Sequence, residues 1–418
     1  MRSAGPAALV AQAALGLLLL AARPASAWTA DHYELVLRPD HGAQVLVARA
    51  RIRLLAEADE SSVVDLASPN LQVSGVTVAG RAQPFEKTPT GWRVSLRDRL
   101  VQDASPAWIW LELDYRAPAA AGLVFGDQHV YTAFATCQWL PCVGPDLTRA
   151  TVAITLDLPS GQRFVASAGP RPYPLYTLGF AAGRFTEAID PLDSRLRYLG
   201  VIDDAAALHA RFKDSPRVLD FLEGKAGVPL PHSTYTQVLV PGSAAQEASN
   251  FSVIGKTMLD PILSEPQEDW VIAHEMAHQW WGNLITAADR SELWLNEGVA
   301  VFMTAAWKQH RWGDAAYRDE LSLLDRRWQR ARDVGFDKPL SWGGEYPSLA
   351  IRRAIQYSKG ALFLHALRED MGELAFWNGL RRYTQHNAGH SVRSADLQLA
   401  MEISAGRSLT PLFDRWVR

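Results

Sequence analysis

The hydrophobic period of this chain changes once, and that change limits the folds open to it. From Trp28 to about Asp190, apolar and polar residues alternate in short runs such as "HYELVLRP", "AQVLVARARIRLLA", "GWRVSL", "AWIWLELDY" and "TVAITLDLP". Gly, Pro, Asn and Asp punctuate these runs. A period of two with turn residues between the runs predicts strands with one face buried. From about residue 205 the spacing becomes helical. "SPRVLDFLEGKAG" reads as a helix ended by glycine, and "TYTQVLV" and "NFSVIG" read as two strands. Helices are then expected over 266–283, 292–310, 314–333, 349–370, 372–387 and 394–405. The fold class is therefore α+β. An N-terminal antiparallel β domain over 28–200 is followed by a mainly helical domain over 201–418.

The first 27 residues stand apart. "MRSAGPAALVAQAALGLLLLAARPASA" has a positive charge at Arg2, an apolar stretch and a closing Ala25-Ser26-Ala27. This is the pattern of a secretory signal peptide cut before Trp28. It implies an exported protein, periplasmic in a bacterium or extracellular, with no stable membrane span after cleavage. The 418 residues are 48% hydrophobic and 21% charged, with a formal net charge of −3, as in ordinary soluble domains. No basic stripe marks a nucleic-acid partner. Cys137 and Cys142 are the two cysteines. They form a disulfide in an oxidising compartment or remain two buried thiols. A lone C-x4-C pair does not make a zinc site.

The chemistry is concentrated in "VIAHEMAHQWWGN". His274 and His278 are four apart, so a helix puts both on one face. Glu297, in "LWLNEG", follows His278 by nineteen positions, far enough for the chain to turn and return on a second helix. Two imidazoles and one carboxylate make a three-ligand zinc site whose fourth position stays open, the arrangement of catalytic zinc. Such an N/O set also accepts cobalt or manganese. Glu275 points off the His–His face and suits a general base.

"HEMAHQWWGN" followed by "LWLNEG" resembles the gluzincin zinc aminopeptidase family, the relatives of alanyl aminopeptidase and leukotriene hydrolase. "AIQYSKGALFLHALRED", "GVPLPHSTYTQVLVP" and "DLQLAMEISAGRSLTPLFDRWV" resemble further family segments. The likeness is strong over about 215–418 and weaker over 28–200. It implies a thermolysin-like catalytic domain, one zinc per chain and peptide substrates cleaved at the N-terminus. It assigns Tyr357 to stabilising the oxyanion.

Three departures accompany the resemblance. The family's Gly-Ala-Met-Glu-Asn strand holds the substrate amine through its glutamate. In register with Asn250, this chain reads "QEASN", which puts Ser249 at the glutamate position and Glu247 two residues earlier. The expectation adopted for Glu247 is an exposed loop acid, and a shifted grip on the amine is the alternative. Gln138 in "FATCQWLPCVGPDLTRA" echoes a second amine-holding position, with intervening residues missing. The large C-terminal helical domain of many relatives has no counterpart before Arg418, which predicts a short form with a more open cleft. Two rivals to a strict aminopeptidase follow. One is a peptidase with a relaxed need for a free N-terminus. The other is a non-catalytic relative that binds peptides.

Overall fold

The computed structural model describes residues 28–56, 62–96 and 108–418. The expected signal peptide lies outside these residues. The N-terminal part is built on a seven-stranded sheet. Its spatial order is Gly169–Pro174, Arg149–Leu156, Trp28–Asp40, Val45–Ala56, Trp108–Pro118, Gln72–Val78 and Arg81–Ala82. Alternation does the work foreseen for it. Leu46, Ala48, Ala50, Ile52 and Leu54 are buried along one strand, and Ile109, Leu111, Leu113, Tyr115 and Ala117 along its neighbour. These side chains share one face because successive residues point to opposite sides of the pleat. The sheet is not wholly antiparallel: Trp28–Asp40 runs parallel to Arg149–Leu156, with Leu35 opposite Ile154. A parallel neighbour requires a long connection, here the chain between the two strands.

Smaller sheets cover the inner face. One orders Arg163–Ala166, Phe180–Gly183, His129–Thr132 and Leu123–Phe125. The cysteines are joined as a disulfide, Cys137–Cys142, which closes a short loop in this layer.

The second part opens on a five-stranded sheet ordered Thr186–Ile189, Leu196–Gly200, Tyr235–Val240, Phe251–Gly255 and Ala245–Ala248. Its first two strands lie before the expected boundary at 200/201. Every residue of Tyr235–Val240 is buried, as suits a strand covered on both faces. Ala245–Ala248 is the antiparallel edge strand, with Glu247 opposite Ser252.

Helices pack against this sheet. Asp314–Asp333, Glu373–His386 and Ser394–Ala405 follow the sequence closely. The helix Ser215–Ala226 has Pro216 in its first turn and ends at Gly227, whose φ of 64° admits the left-handed cap. Two expectations differ. The helix expected over 266–283 is only Trp270–Ala277. Beyond it the chain tightens, with Asn283 N–H donating to His278 O and Gly282 at φ 145°. The helix expected over 349–370 is interrupted, being α-helical over Leu349–Arg353, a π-turn over Ala354–Lys359, and α-helical again over Gly360–Met371.

The two parts are tied by a half-buried arginine. Arg149 donates to Thr286 Oγ1, to Asn283 O at 3.0 Å and to Leu284 O at 3.3 Å. Burial pushes its guanidinium down to about 10. Tyr173 stacks on His232 across the same seam, with ring centroids 5.0 Å apart.

Candidate metal centre

His274 and His278 meet because the chain stays in the right-handed helical region through His278. Their Nε2 atoms are 3.2 Å apart. Glu297 comes from the first turn of the helix Trp294–Trp312. Its Oε2 lies 3.7 Å from His274 Nε2 and 3.5 Å from His278 Nε2. These separations match a tetrahedral site, whose donors at about 2.1 Å from zinc stand about 3.4 Å from one another. Among the described residues no other group of three or more His, Cys, Asp or Glu side chains converges in this way.

The donor chemistry also fits. His278 Nδ1 sits 2.9 Å from Trp281 O, a carbonyl that only accepts. That places the proton on Nδ1 and leaves Nε2 its lone pair. Burial, aided by the charge of His278, drives His274 down to about 3, so it is a neutral donor. Burial also opposes charge on His278, but Glu247 and Glu297 outweigh it and push that group up to about 10. Carboxylates that favour a proton there favour a metal cation equally. Glu297 is held below the usual range: burial works against its charge, and His278 more than offsets this.

Packing fixes the two ligand helices. Trp307 Nε1 donates to Asp269 Oδ2 at 2.7 Å, tying the Glu297 helix to the start of the histidine helix. Trp294 Nε1 donates to Ser394 Oγ at 3.1 Å. A Cβ on Gly298 would lie 3.0 Å from Gly360 Cα, and one on Gly360 would lie 3.0 Å from Gly298 Cα. Those glycines let the Glu297 helix touch the segment that carries Tyr357.

Tyr357 sits within the π-turn. Its ring is nearly parallel to that of His274, at 14° and 6.4 Å between centroids. A π-turn widens the helix locally and recurs at functional sites. Burial, then the charge of Glu297, holds the Tyr357 phenol well above its ordinary value, so it remains a donor. Glu275 is buried, and its Oε2 has no partner among the described residues. Burial and then Glu247 hold its carboxyl well above the usual carboxylate range.

The amine-side expectations need correction. Glu247 is not an exposed loop acid; it is a buried residue of the edge strand Ala245–Ala248. Gln246 Nε2 donates to its Oε2 at 2.6 Å. Burial pushes its carboxyl up to about 7, His278 opposing and Glu297 reinforcing. Ser249 is buried in the turn beyond the strand, its amide donating to Thr177 O at 2.9 Å. Its Oγ has no partner among the described residues. Asn250 is a turn residue at φ 69°, its amide donating to Gln279 Oε1 at 3.1 Å. Gln279 and Asn283 both donate to Ala248 O, at 3.0 and 3.1 Å, and so strap the strand to the histidine segment. Gln138 is half-buried in the 3-10 turn Thr136–Gln138, where its carbonyl accepts from Asn70 Nδ2 at 3.0 Å. Among the described residues its side chain has no hydrogen bond to the centre.

Sequence reading missed Tyr176. Burial holds its phenol well above the ordinary value, Glu247 and Glu297 adding to this, and Asn296 Nδ2 donates to its hydroxyl at 3.0 Å. It is supplied by the N-terminal part, and no local pattern marks it.

Fold and site together define a gluzincin-type metallopeptidase domain. Residues 211–416 match the Peptidase family M1 domain, and this part of the chain belongs to that family. It is 25% identical over 316 residues to aminopeptidase M1 of Arabidopsis thaliana, covering 66% of this chain and 35% of that protein. This chain spans about a third or less of the length of the curated relatives it matches first. Among solved structures, a mutant M1 zinc metallopeptidase from Deinococcus radiodurans, bound to the substrate Tyr-Ser-Ala, superposes with a TM-score of 0.76. It is 23% identical, with 94% of both chains covered. Yeast LTA4 hydrolase in complex with bestatin gives a TM-score of 0.77 at 18% identity, covering 90% of this chain and 65% of that one. These likenesses show the two-domain fold.

Proposed function

We propose that the protein is a zinc aminopeptidase that removes residues from the N-termini of peptides outside the cytoplasm. The observation that carries this reading is the placement of Glu247. It supplies a buried carboxylate beside the His274–His278–Glu297 cluster, on a strand that Gln279 and Asn283 tie to the histidine segment. An α-ammonium group is the cation such an acid would hold through charge-assisted hydrogen bonds. Fixing the amine there limits cleavage to the first peptide bond.

One zinc, held by His274, His278 and Glu297, would supply Lewis acidity, activating water and polarising the scissile carbonyl. Glu275 accepts the proton of the attacking water and passes it to the leaving amine. Its Oε2 has no partner among the described residues, which leaves that oxygen able to take the proton. Tyr357 donates to the carbonyl oxygen as negative charge develops there. A module that only bound peptides would have no use for Glu275 in this position.

The Cys137–Cys142 disulfide supports export, since such bonds persist in oxidising compartments. Among the described residues no helix is long and apolar enough to cross a membrane. The test is Glu275→Gln, assayed beside the wild type with equal zinc content. Turnover of amino-acid anilides should fall by about 10²–10⁴-fold. Wild-type turnover in that variant would remove Glu275 from the reaction.

A further inference from the structure

The Glu247 side chain is held by its neighbour in sequence. Its Oε2 accepts from Gln246 Nε2 at 2.6 Å, and the same nitrogen donates to Glu247 O at 2.8 Å. Gln246 Oε1 in turn accepts from the backbone N–H of Phe134 at 3.0 Å. A backbone N–H only donates, so the atom that meets it is the oxygen of the side-chain amide. Both N–H groups of Gln246 are then committed to Glu247, and the direction of the relay is fixed. Gln246 is buried, which keeps water from competing for these bonds.

The anchor comes from the other part of the chain. Phe134 lies between the strand His129–Thr132 and the turn Thr136–Gln138, which holds one half of the Cys137–Cys142 disulfide. Ala135 N–H donates to Ala133 O at 2.9 Å and Thr136 N–H to Phe134 O at 3.1 Å, so the segment is tightly wound. Phe134 has φ of 62°, a left-handed conformation that a bulky residue adopts when its surroundings impose it. Strain of this kind clusters at functional sites.

Ala245–Ala248 is an edge strand. Gly255 N–H donates to Ala244 O, and alternation along the antiparallel pair turns the N–H and C=O of Glu247 to the open side. An acid there has several rotamers open to it. Gln246 covers the carbonyl and pins one carboxylate oxygen. A carboxylate has about four acceptor directions, so the remaining ones are offered to a ligand in one orientation.

We propose that Gln246 is a positioning residue for the amine site: anchored on Phe134, it holds Glu247 in the orientation that receives the substrate's α-ammonium group. This rests on the aminopeptidase reading, in which Glu247 holds that group.

The test measures KM and kcat for alanine 4-nitroanilide with wild type, Gln246→Met, Glu247→Gln and the double variant, each at equal zinc content. Gln246→Met keeps the bulk and loses the bonds to Phe134 and Glu247. It should raise KM by about 10-fold. The change in kcat should be smaller, because the ammonium group is held alike before and during the reaction. Added to Glu247→Gln, the same substitution should move KM by less than about twofold, since Gln246 acts through a carboxylate that is no longer there. A residue needed only for packing would weaken both backgrounds alike. Gln246→Asn, one methylene too short to span Phe134 and Glu247, should repeat the rise in KM if Gln246→Met does not fold. Wild-type KM in either folded variant overturns the inference, as do single effects that multiply in the double variant. A raised KM in Glu247→Gln alone leaves the aminopeptidase reading standing. Wild-type KM in Glu247→Gln as well overturns both.

Discussion

The phenol of Tyr357 lies nearly parallel to the imidazole of His274, with centroids 6.4 Å apart and an interplanar angle of 14°. The ring is thus positioned by packing and the π-turn, with its hydroxyl directed to the Glu297 carboxylate. Tyr357→Phe keeps the ring and removes the donor. Zinc content by elemental analysis should stay at the wild-type level. The loss should appear mainly in kcat, by about 10²–10³-fold, because the hydrogen bond strengthens as charge develops. A variant with unchanged kcat would exclude the phenol from the mechanism.

Glu247 and Ser249 are two residues apart, and substitution is expected to cost activity at the first and stability at the second. Glu247→Gln should depress cleavage of free-amine substrates by about 10- to 100-fold. Ser249→Glu inserts a charge into a buried turn where even the serine hydroxyl lacks a partner among the described residues. It should lower Tm without sharpening selectivity for a free amine. Thermal melts and paired assays on free and acetylated peptides measure both. A gain in free-amine preference from Ser249→Glu would restore the register anchored on Asn250.

Gly298 and Gly360 define how close the Glu297 helix comes to the Tyr357 segment. Gly298→Ala would bring a methyl group to 3.0 Å from Gly360 Cα and 3.1 Å from Gln356 O. Backbone must shift, which should destabilise the fold by about 1–3 kcal/mol. Zinc affinity should fall with it, because Glu297 is the preceding residue. Denaturant melts and a zinc competition titration measure the two effects. A variant of wild-type stability and affinity would show that the contact is not needed.

His232 offers a pH test away from the centre. Burial, with Arg171 reinforcing it, pushes this histidine down to about 4 from its ordinary value of 6.5. The folded state holds it neutral while the unfolded chain protonates it near 6.5. Its contribution is therefore complete above about pH 6.5 and is lost as the pH falls to about 4. Replacing it with Phe preserves a ring against Tyr173 and removes the titration. Between pH 7 and 4 the variant should lose less stability than wild type, by up to about 3 kcal/mol. Parallel stability curves in urea would contradict the assignment.

The legible parts of this molecule are those where one local signal decides. The strand Val45–Ala56 shows its buried face by simple alternation. The helices Asp314–Asp333 and Ser394–Ala405 are isolated between turn residues and have clear periods. The two histidines share a face because four residues nearly complete a turn. What stayed hidden depends on long-range pairing. The sequence alone leaves Glu247 between an exposed loop acid and a strand residue that faces the cleft. Its environment is decided by the pairing of Glu247 with Ser252 and by Gln279, which lies 32 positions later in sequence. Tyr176 belongs to the other part of the chain, and the parallel pair of Trp28–Asp40 with Arg149–Leu156 joins segments over a hundred residues apart. The π-turn at Tyr357 has no composition signal of its own, since it follows from packing against the Glu297 helix.

The central claim is that a buried acid beside a three-ligand zinc site directs cleavage to the first peptide bond. Its most direct test digests one peptide, with a free and with an acetylated N-terminus, using protein assayed for zinc, and reads the products by mass spectrometry. Stepwise loss of N-terminal residues from the free peptide and no cleavage of the acetylated one are the expected outcome. Internal cleavage of the acetylated peptide, or an inert protein carrying a full equivalent of zinc, would contradict it.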